Sequence, residues 1–123
     1  MDTEKFLSTK HGILDQNAFN FKDIFGFNNI MDKCDSLKYR QSKPNHAVII
    51  NGYNLDQGKT KGFKVENSWG EKYGFKGNYF MHLDWFKNYT FEVVVDKKFV
   101  SNKVRSVLDK KPVTLPYFSP FGA

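Results

Sequence analysis

Two short stretches of the chain carry residue types that do acid–base chemistry when they meet. The first is Asn45-His46-Ala47-Val48, and the second is Glu66-Asn67-Ser68-Trp69-Gly70. An imidazole exchanges protons near neutral pH. A carboxamide oxygen that accepts one ring N–H fixes the tautomer and the ring plane. The other ring nitrogen is then left to exchange a proton with a nucleophile. An indole beside that contact keeps water out and strengthens it. Each residue alone has a plainer explanation. A histidine at a strand start is usually structural, and an asparagine before Ser-Trp-Gly is usually a turn residue beside a packed tryptophan. The three in this order are much less common by chance.

The elements that must position them follow from pattern. His46 to Gly52 reads as a buried strand ending at a glycine, and Gly62 to Asn67 alternates as a second strand. Asn54 to Lys61, with Gly58, joins them as a hairpin. Opposed Cβ atoms in such a pair lie about 4.5–5.5 Å apart, which brings His46 and Asn67 within hydrogen-bond reach. Asn78 to Leu83 is a third strand candidate, Asp84 to Tyr89 one helical turn, and Phe91 to Val95 a fourth strand. Upstream, residues 2–10 read as a short helix with Asp2 as N-cap, and residues 32–43 as a polar, exposed loop. Downstream, Ser101 to Leu108 reads as a short helix capped by Ser101. Three prolines from Pro112 onward make residues 112–123 an extended arm. The expected class is α+β: an antiparallel sheet with short helices. The chain is expected to be a single partial domain, with residues 1–43 as helix and irregular lead-in, 44–98 as the His/Asn sheet, and 99–123 as short helix and arm.

Composition narrows the classes. The 123 residues include 13 Phe, 6 Tyr and 2 Trp, a heavy apolar load that argues against disorder. The net charge of +6 is compatible with acidic partners, a membrane surface or nucleic acid. The lysines are nonetheless spread singly, and arginine occurs only at Arg40 and Arg105, a pattern that favours a solvated surface. The single cysteine, Cys34, allows no intrachain disulfide and fits a reducing, cytoplasmic compartment. Residues 1–5 carry acids and no long apolar run, unlike a secretory signal. The run Ala47 to Ile50 is far too short to span a bilayer, so no membrane partner is expected. His11, His46, His82 and Cys34 lack zinc spacing, and Gly70, Gly74 and Gly77 make no phosphate loop. No metal or other cofactor is expected.

A His-Ala strand start followed by Asn-Ser-Trp-Gly resembles the papain-like cysteine peptidases. The branch it is most similar to is that of bleomycin hydrolase and aminopeptidase C. Val65-Glu66-Asn67-Ser68-Trp69-Gly70-Glu71, Asp84-Trp85-Phe86 and Val93-Val94-Val95-Asp96-Lys97-Lys98 fit that branch. So do Leu14-Asp15, Phe25-Gly26 and the tail Leu115-Pro116 and Pro120-Phe121-Gly122-Ala123. The resemblance covers nearly the whole chain. It implies the β-rich half of a papain-like fold, with His46 as general base and acid, Asn67 orienting it and Trp69 shielding their contact. It also implies that the arm enters the active-site cleft, so that the carboxylate of Ala123 faces the free amino group of a peptide substrate. The family forms a homo-hexamer and uses no cofactor.

The departures matter as much. The family's nucleophilic cysteine, in a Cys-Trp context, and its oxyanion glutamine lie far upstream of the histidine, and this chain contains neither. Cys34 sits in Asp32-Lys33-Cys34-Asp35, where two acids disfavour a thiolate. Phe118, Ser119 and Phe121 stand where the family pattern has Trp, Asp and Met. The resemblance therefore implies the C-terminal portion of a cysteine aminopeptidase, inactive by itself, whose partner is an N-terminal portion carrying Cys and Gln. The alternatives are a non-catalytic remnant that binds or supports other molecules, and a basic nucleic-acid-binding protein.

Overall fold

A computed structural model describes residues 1–27 and 30–119. The chain forms two compact units, Met1–Phe91 and a second from Glu92 onward. The first holds β1 (Leu7–Ser8), β2 (Ile13–Leu14), α1 (Phe21–Phe25), α2 (Lys33–Lys38), β3 (Ile49–Asp56), β4 (Lys59–Glu66), β5 (Asn78–His82) and α3 (Leu83–Tyr89). The strands make one sheet in the order β1-β2-β5-β4-β3. Its three longer strands are antiparallel, and β2 joins β5 in parallel, which makes the sheet mixed. The second unit contains α4 (Asn102–Arg105) between two short 3-10 turns, Lys97–Phe99 and Ser106–Asp109.

The β3–β4 hairpin turns at Gln57-Gly58, where both φ angles are positive, 49° and 75°. That is the backbone twist a two-residue hairpin requires, and glycine adopts it without steric cost. Two bulges interrupt the ladder, one at Asn51 in β3 and one at Lys61 in β4. β5 then lies along β4 with Val65 opposite Tyr79 and Phe63 opposite Met81. Gly62 permits this approach, since a Cβ there would collide with the Met81 carbonyl oxygen and the Phe80 ring. Alternate residues Tyr79 and Met81 face inward with Val65 and Leu14. Helix α3 lays Trp85 and Tyr89, one turn apart, on the same face, with ring centroids 5.3 Å apart. These six residues are the buried apolar core, and Trp85 also donates its indole N–H to the Lys5 carbonyl at 2.8 Å.

Several expectations are corrected. Residues 2–10 form no helix. Asp2 is buried and accepts hydrogen bonds instead of capping, and Phe6 has a positive φ of 51°. Tertiary hydrogen bonds outweigh a helix too short to stand alone. The polar stretch after Asp32 contains α2, whose N-cap Asp32 accepts from the Asp35 N–H at 2.8 Å. The Lys33 ammonium then caps α3, donating to the carbonyls of Lys87 and Thr90. The strand expected from His46 begins only at Ile49 and is mostly exposed, because β3 is the edge of the sheet. Phe91 to Val95 forms no strand, and the side of β5 away from β4 pairs with Ile13–Leu14. The Ser101 side chain makes no cap hydrogen bond. Among the described residues, no helix is long and apolar enough to cross a membrane.

Two outcomes follow from this architecture. Burial pushes the hydroxyls of Tyr79 and Tyr89 above their ordinary value of 10.0, and the charge of Asp2 adds to the rise at Tyr89. The unfolded chain therefore loses these protons first. Stability is full below pH 10.0 and falls as pH climbs through the raised folded values. Urea titrations across alkaline pH are expected to show that slope, and Tyr79→Phe to reduce it. The second outcome concerns the open edge, where Ile49 is 64%, Tyr53 69% and Leu55 51% exposed. An apolar edge strand invites pairing with another chain. Sedimentation is expected to show concentration-dependent self-association that Tyr53→Lys with Leu55→Lys reduces. A monodisperse monomer at high concentration would count against an uncovered interface.

Candidate active site

His46 and Asn67 flank the open end of the hairpin. His46 lies three residues before β3, and Asn67 is the residue after β4. The last ladder pair, Ile49 with Glu66, sets the distance between the two segments. Asn67 is held by its own backbone, whose N–H donates to the Gly77 carbonyl at 3.0 Å. Across the gap, His46 Nε2 stands 2.8 Å from Asn67 Oδ1. The same Oδ1 accepts the backbone N–H of Ser68, also at 2.8 Å.

That second bond settles two assignments. A backbone N–H can only donate, so the carboxamide atom facing it is the oxygen. The oxygen can only accept, so the histidine nitrogen facing it carries the proton. The imidazole is therefore held as the Nε2–H tautomer, and Nδ1 is the basic nitrogen. The geometry suits a general base whose proton acceptor is Nδ1 and whose imidazolium form keeps the Asn67 contact.

Trp69 lies against the imidazole, with ring centroids 5.0 Å apart and planes tilted by 36°. It is 38% exposed, so it covers one side of the pair rather than sealing it. Behind it stands Tyr79, edge-on to the indole at 6.4 Å. Tyr79 was not singled out by its sequence, although its inward place on β5, opposite Val65, marks it as a support for this loop. Its hydroxyl is buried with no aligned hydrogen-bond partner. The Asn67 carboxamide is near enough to offset part of the burial-driven rise of its pKa, without making a hydrogen bond of good geometry.

The structure thus joins His46, Asn67 and Trp69 in one cluster. Cys34 is exposed on α2. Ala123, the expected anchor for a substrate amino group, lies outside the described residues.

Comparison with known proteins agrees on one family. Residues 1–122 match the family model described as Peptidase C1-like family. Aminopeptidase E of Lactobacillus helveticus is 38% identical over 94% of this chain and 26% of its own length. Bleomycin hydrolase of Gallus gallus is 39% identical over 99% of this chain and 28% of its own length. The crystal structure of PepW from Lactobacillus rhamnosis HN001 superposes with a TM-score of 0.89 at 35% identity, over 99% of this chain and 28% of that one. The chain spans about a quarter of the length of the relatives it matches.

Asn67→Ala removes the acceptor that fixes the ring. The His46 Nε2–H resonance is expected to lose its protection from exchange with water in nitrogen-15 NMR. Stability in urea is expected to fall by about 1 kcal/mol, the usual net worth of one hydrogen bond. A slowly exchanging Nε2–H in the Asn67→Ala chain would show that another group holds the imidazole.

Proposed function

This chain belongs to the peptidase C1-like family, and we propose that it supplies the histidine–asparagine half of a cysteine aminopeptidase site of the bleomycin hydrolase and aminopeptidase C kind. The contact between His46 Nε2 and Asn67 Oδ1 carries this reading. Cysteine peptide hydrolysis needs a base that takes the thiol proton and returns it to the leaving amine. In the Nε2–H tautomer, Nδ1 of His46 takes that proton, and the thiolate adds to the peptide carbonyl. The imidazolium then donates a proton to the departing amine as the acyl-thiol bond is left behind. Nδ1 next takes a proton from water, whose oxygen adds to the acyl carbon; the carbon–sulfur bond then breaks, the acid leaves, and the imidazolium returns its proton to the thiolate. Through each step Asn67 keeps the ring plane, and Trp69 limits access of water to the contact.

The nucleophile and the oxyanion donor come from a separate portion carrying Cys and Gln. We do not assign Cys34 as that nucleophile: it sits exposed on α2, outside the His46–Asn67–Trp69 cluster. Substrates are peptides with a free N-terminus.

Complementation tests this function. The pure chain is expected to hydrolyse no aminoacyl-arylamide. Mixed with the N-terminal portion of a bacterial relative, it is expected to gain turnover that His46→Ala lowers by about 10²–10⁴-fold, the usual contribution of a general acid–base. Cys34→Ala is expected to leave that turnover unchanged. Activity of the pure chain that Cys34→Ala abolishes would overturn the assignment of the nucleophile. A folded mixture without turnover would favour a binding or structural remnant.

A further inference from the structure

A second network lies on the main-chain side of the imidazole, and no step of the reaction uses it. At its centre is Asp2, which is only 1% exposed. A buried carboxylate is costly unless its lone pairs are occupied, and here both oxygens are in use. Oδ1 accepts from Asn45 Nδ2 at 2.8 Å and from the Glu4 N–H at 3.1 Å. Oδ2 accepts from the Ser42 hydroxyl at 2.7 Å and from the Lys43 N–H at 3.3 Å. All four partners are neutral donors, and three of them belong to residues 42–45, the segment that delivers His46.

Asn45 ties the same two segments together with its other end. Its Oδ1 accepts the Thr3 N–H at 2.9 Å and the Thr3 hydroxyl at 3.3 Å. The main chain completes the clamp. The N–H groups of Asn45 and His46 both donate to the Met1 carbonyl, at 3.0 and 3.1 Å, and the Met1 nitrogen donates to the His46 carbonyl at 2.9 Å. Both backbone polar groups of His46 are thereby bonded to residue 1, and residues 1–3 are bonded through Asp2 and Asn45 to the segment before His46.

Two things decide where Nδ1 of His46 lies: the backbone at residue 46 and the rotation of the ring. Asn67 governs the ring. We propose that Asp2, acting through Asn45, is the positioning residue that governs the backbone. The proposal rests on His46 being the general base. Its physical basis is the narrow tolerance of proton transfer, since about 1 Å of misplacement can cost on the order of 10²-fold in rate. Beyond its bonds to residues 1–3 the segment has few restraints, because Ile49 is the first ladder residue and is itself 64% exposed.

The test uses the full chain and needs no turnover. Asp2→Asn keeps the shape of the side chain but turns an NH₂ group toward hydrogen-bond donors. Asn45→Ala cuts the same link from an exposed position, and it carries the test if Asp2→Asn fails to fold. The double variant Asp2→Asn with Asn45→Asp exchanges the two groups and preserves the bonds between positions 2 and 45, to Ser42, to Lys43 and to Thr3, losing only the Glu4 N–H contact. In both single variants the His46 Nε2–H resonance is expected to shift and to lose its protection from exchange, while the Trp85 indole N–H resonance, bonded to the Lys5 carbonyl, is unchanged. The double variant is expected to restore the resonance. An unchanged resonance in a folded single variant, or a double variant that fails to restore it, would overturn the proposal by showing that Asp2 serves only the fold. Coupling that is present in a chain unable to complement would instead overturn the catalytic reading of His46 and leave the clamp standing.

Discussion

The hydrogen bond between His46 and Asn67 depends on a constraint set elsewhere: where the β3–β4 ladder stops. Ile49 and Glu66 are its last pair, and beyond them the two strands separate toward different neighbours. The segment before Ile49 is bound to residues 1–3, whereas Asn67 is bound to Gly77 and leads into the loop that carries Trp69. The gap at the fork is one side-chain hydrogen bond wide. A longer ladder would absorb both residues into the sheet, and their side chains would project from a strand face instead of meeting across its end.

The core on which this fork stands is one-sided. Val65, Tyr79 and Met81 project from the central strands toward Trp85 and Tyr89, and the indole reaches through to Lys5. Burial of these aromatics supplies much of the apolar area, roughly 150–250 Å² each, in a unit with few buried residues. Edge strand β3 has no such cover. The unevenness is physically coherent for a chain that matches only part of its relatives, since a sheet edge rich in Ile, Tyr and Leu is stable when another element closes it.

Period-two alternation made β4 legible, because Phe63 and Val65 turn inward while Lys64 and Glu66 face solvent. The helical turn after His82 was legible for a similar reason, with Trp85 and Tyr89 one turn apart. The errors have physical causes as well. The start of β3 was placed early because Ala47, Val48, Ile49 and Ile50 form an apolar run, and such a run does not state where hydrogen bonding to a neighbour begins. Phe91 to Val95 is equally strand-like in composition, but composition alone does not supply a hydrogen-bonding neighbour, and the segment forms no strand. Helix α2 was missed although Asp32 and Asp35 carry a capping signal, because its surroundings are polar and its buried contribution is slight.

Residue order alone determined which side chains meet. A histidine before an apolar run and an asparagine before Ser-Trp-Gly mark a candidate proton-transfer pair, because few other arrangements combine an imidazole, a carboxamide and an indole at that spacing. The hairpin between them was equally local, since Gln57-Gly58 encodes its own turn. Only the tertiary structure decided how the pair is held. The tautomer follows from the Ser68 N–H sharing Asn67 Oδ1, and the backbone of His46 is bonded to Met1, beside a segment that Asp2 joins to Asn45. Asp2 reads locally as a helix cap because its oxygen accepts from any nearby N–H. The nearest donors become those of Ser42, Lys43 and Asn45 only after the chain has folded back on itself.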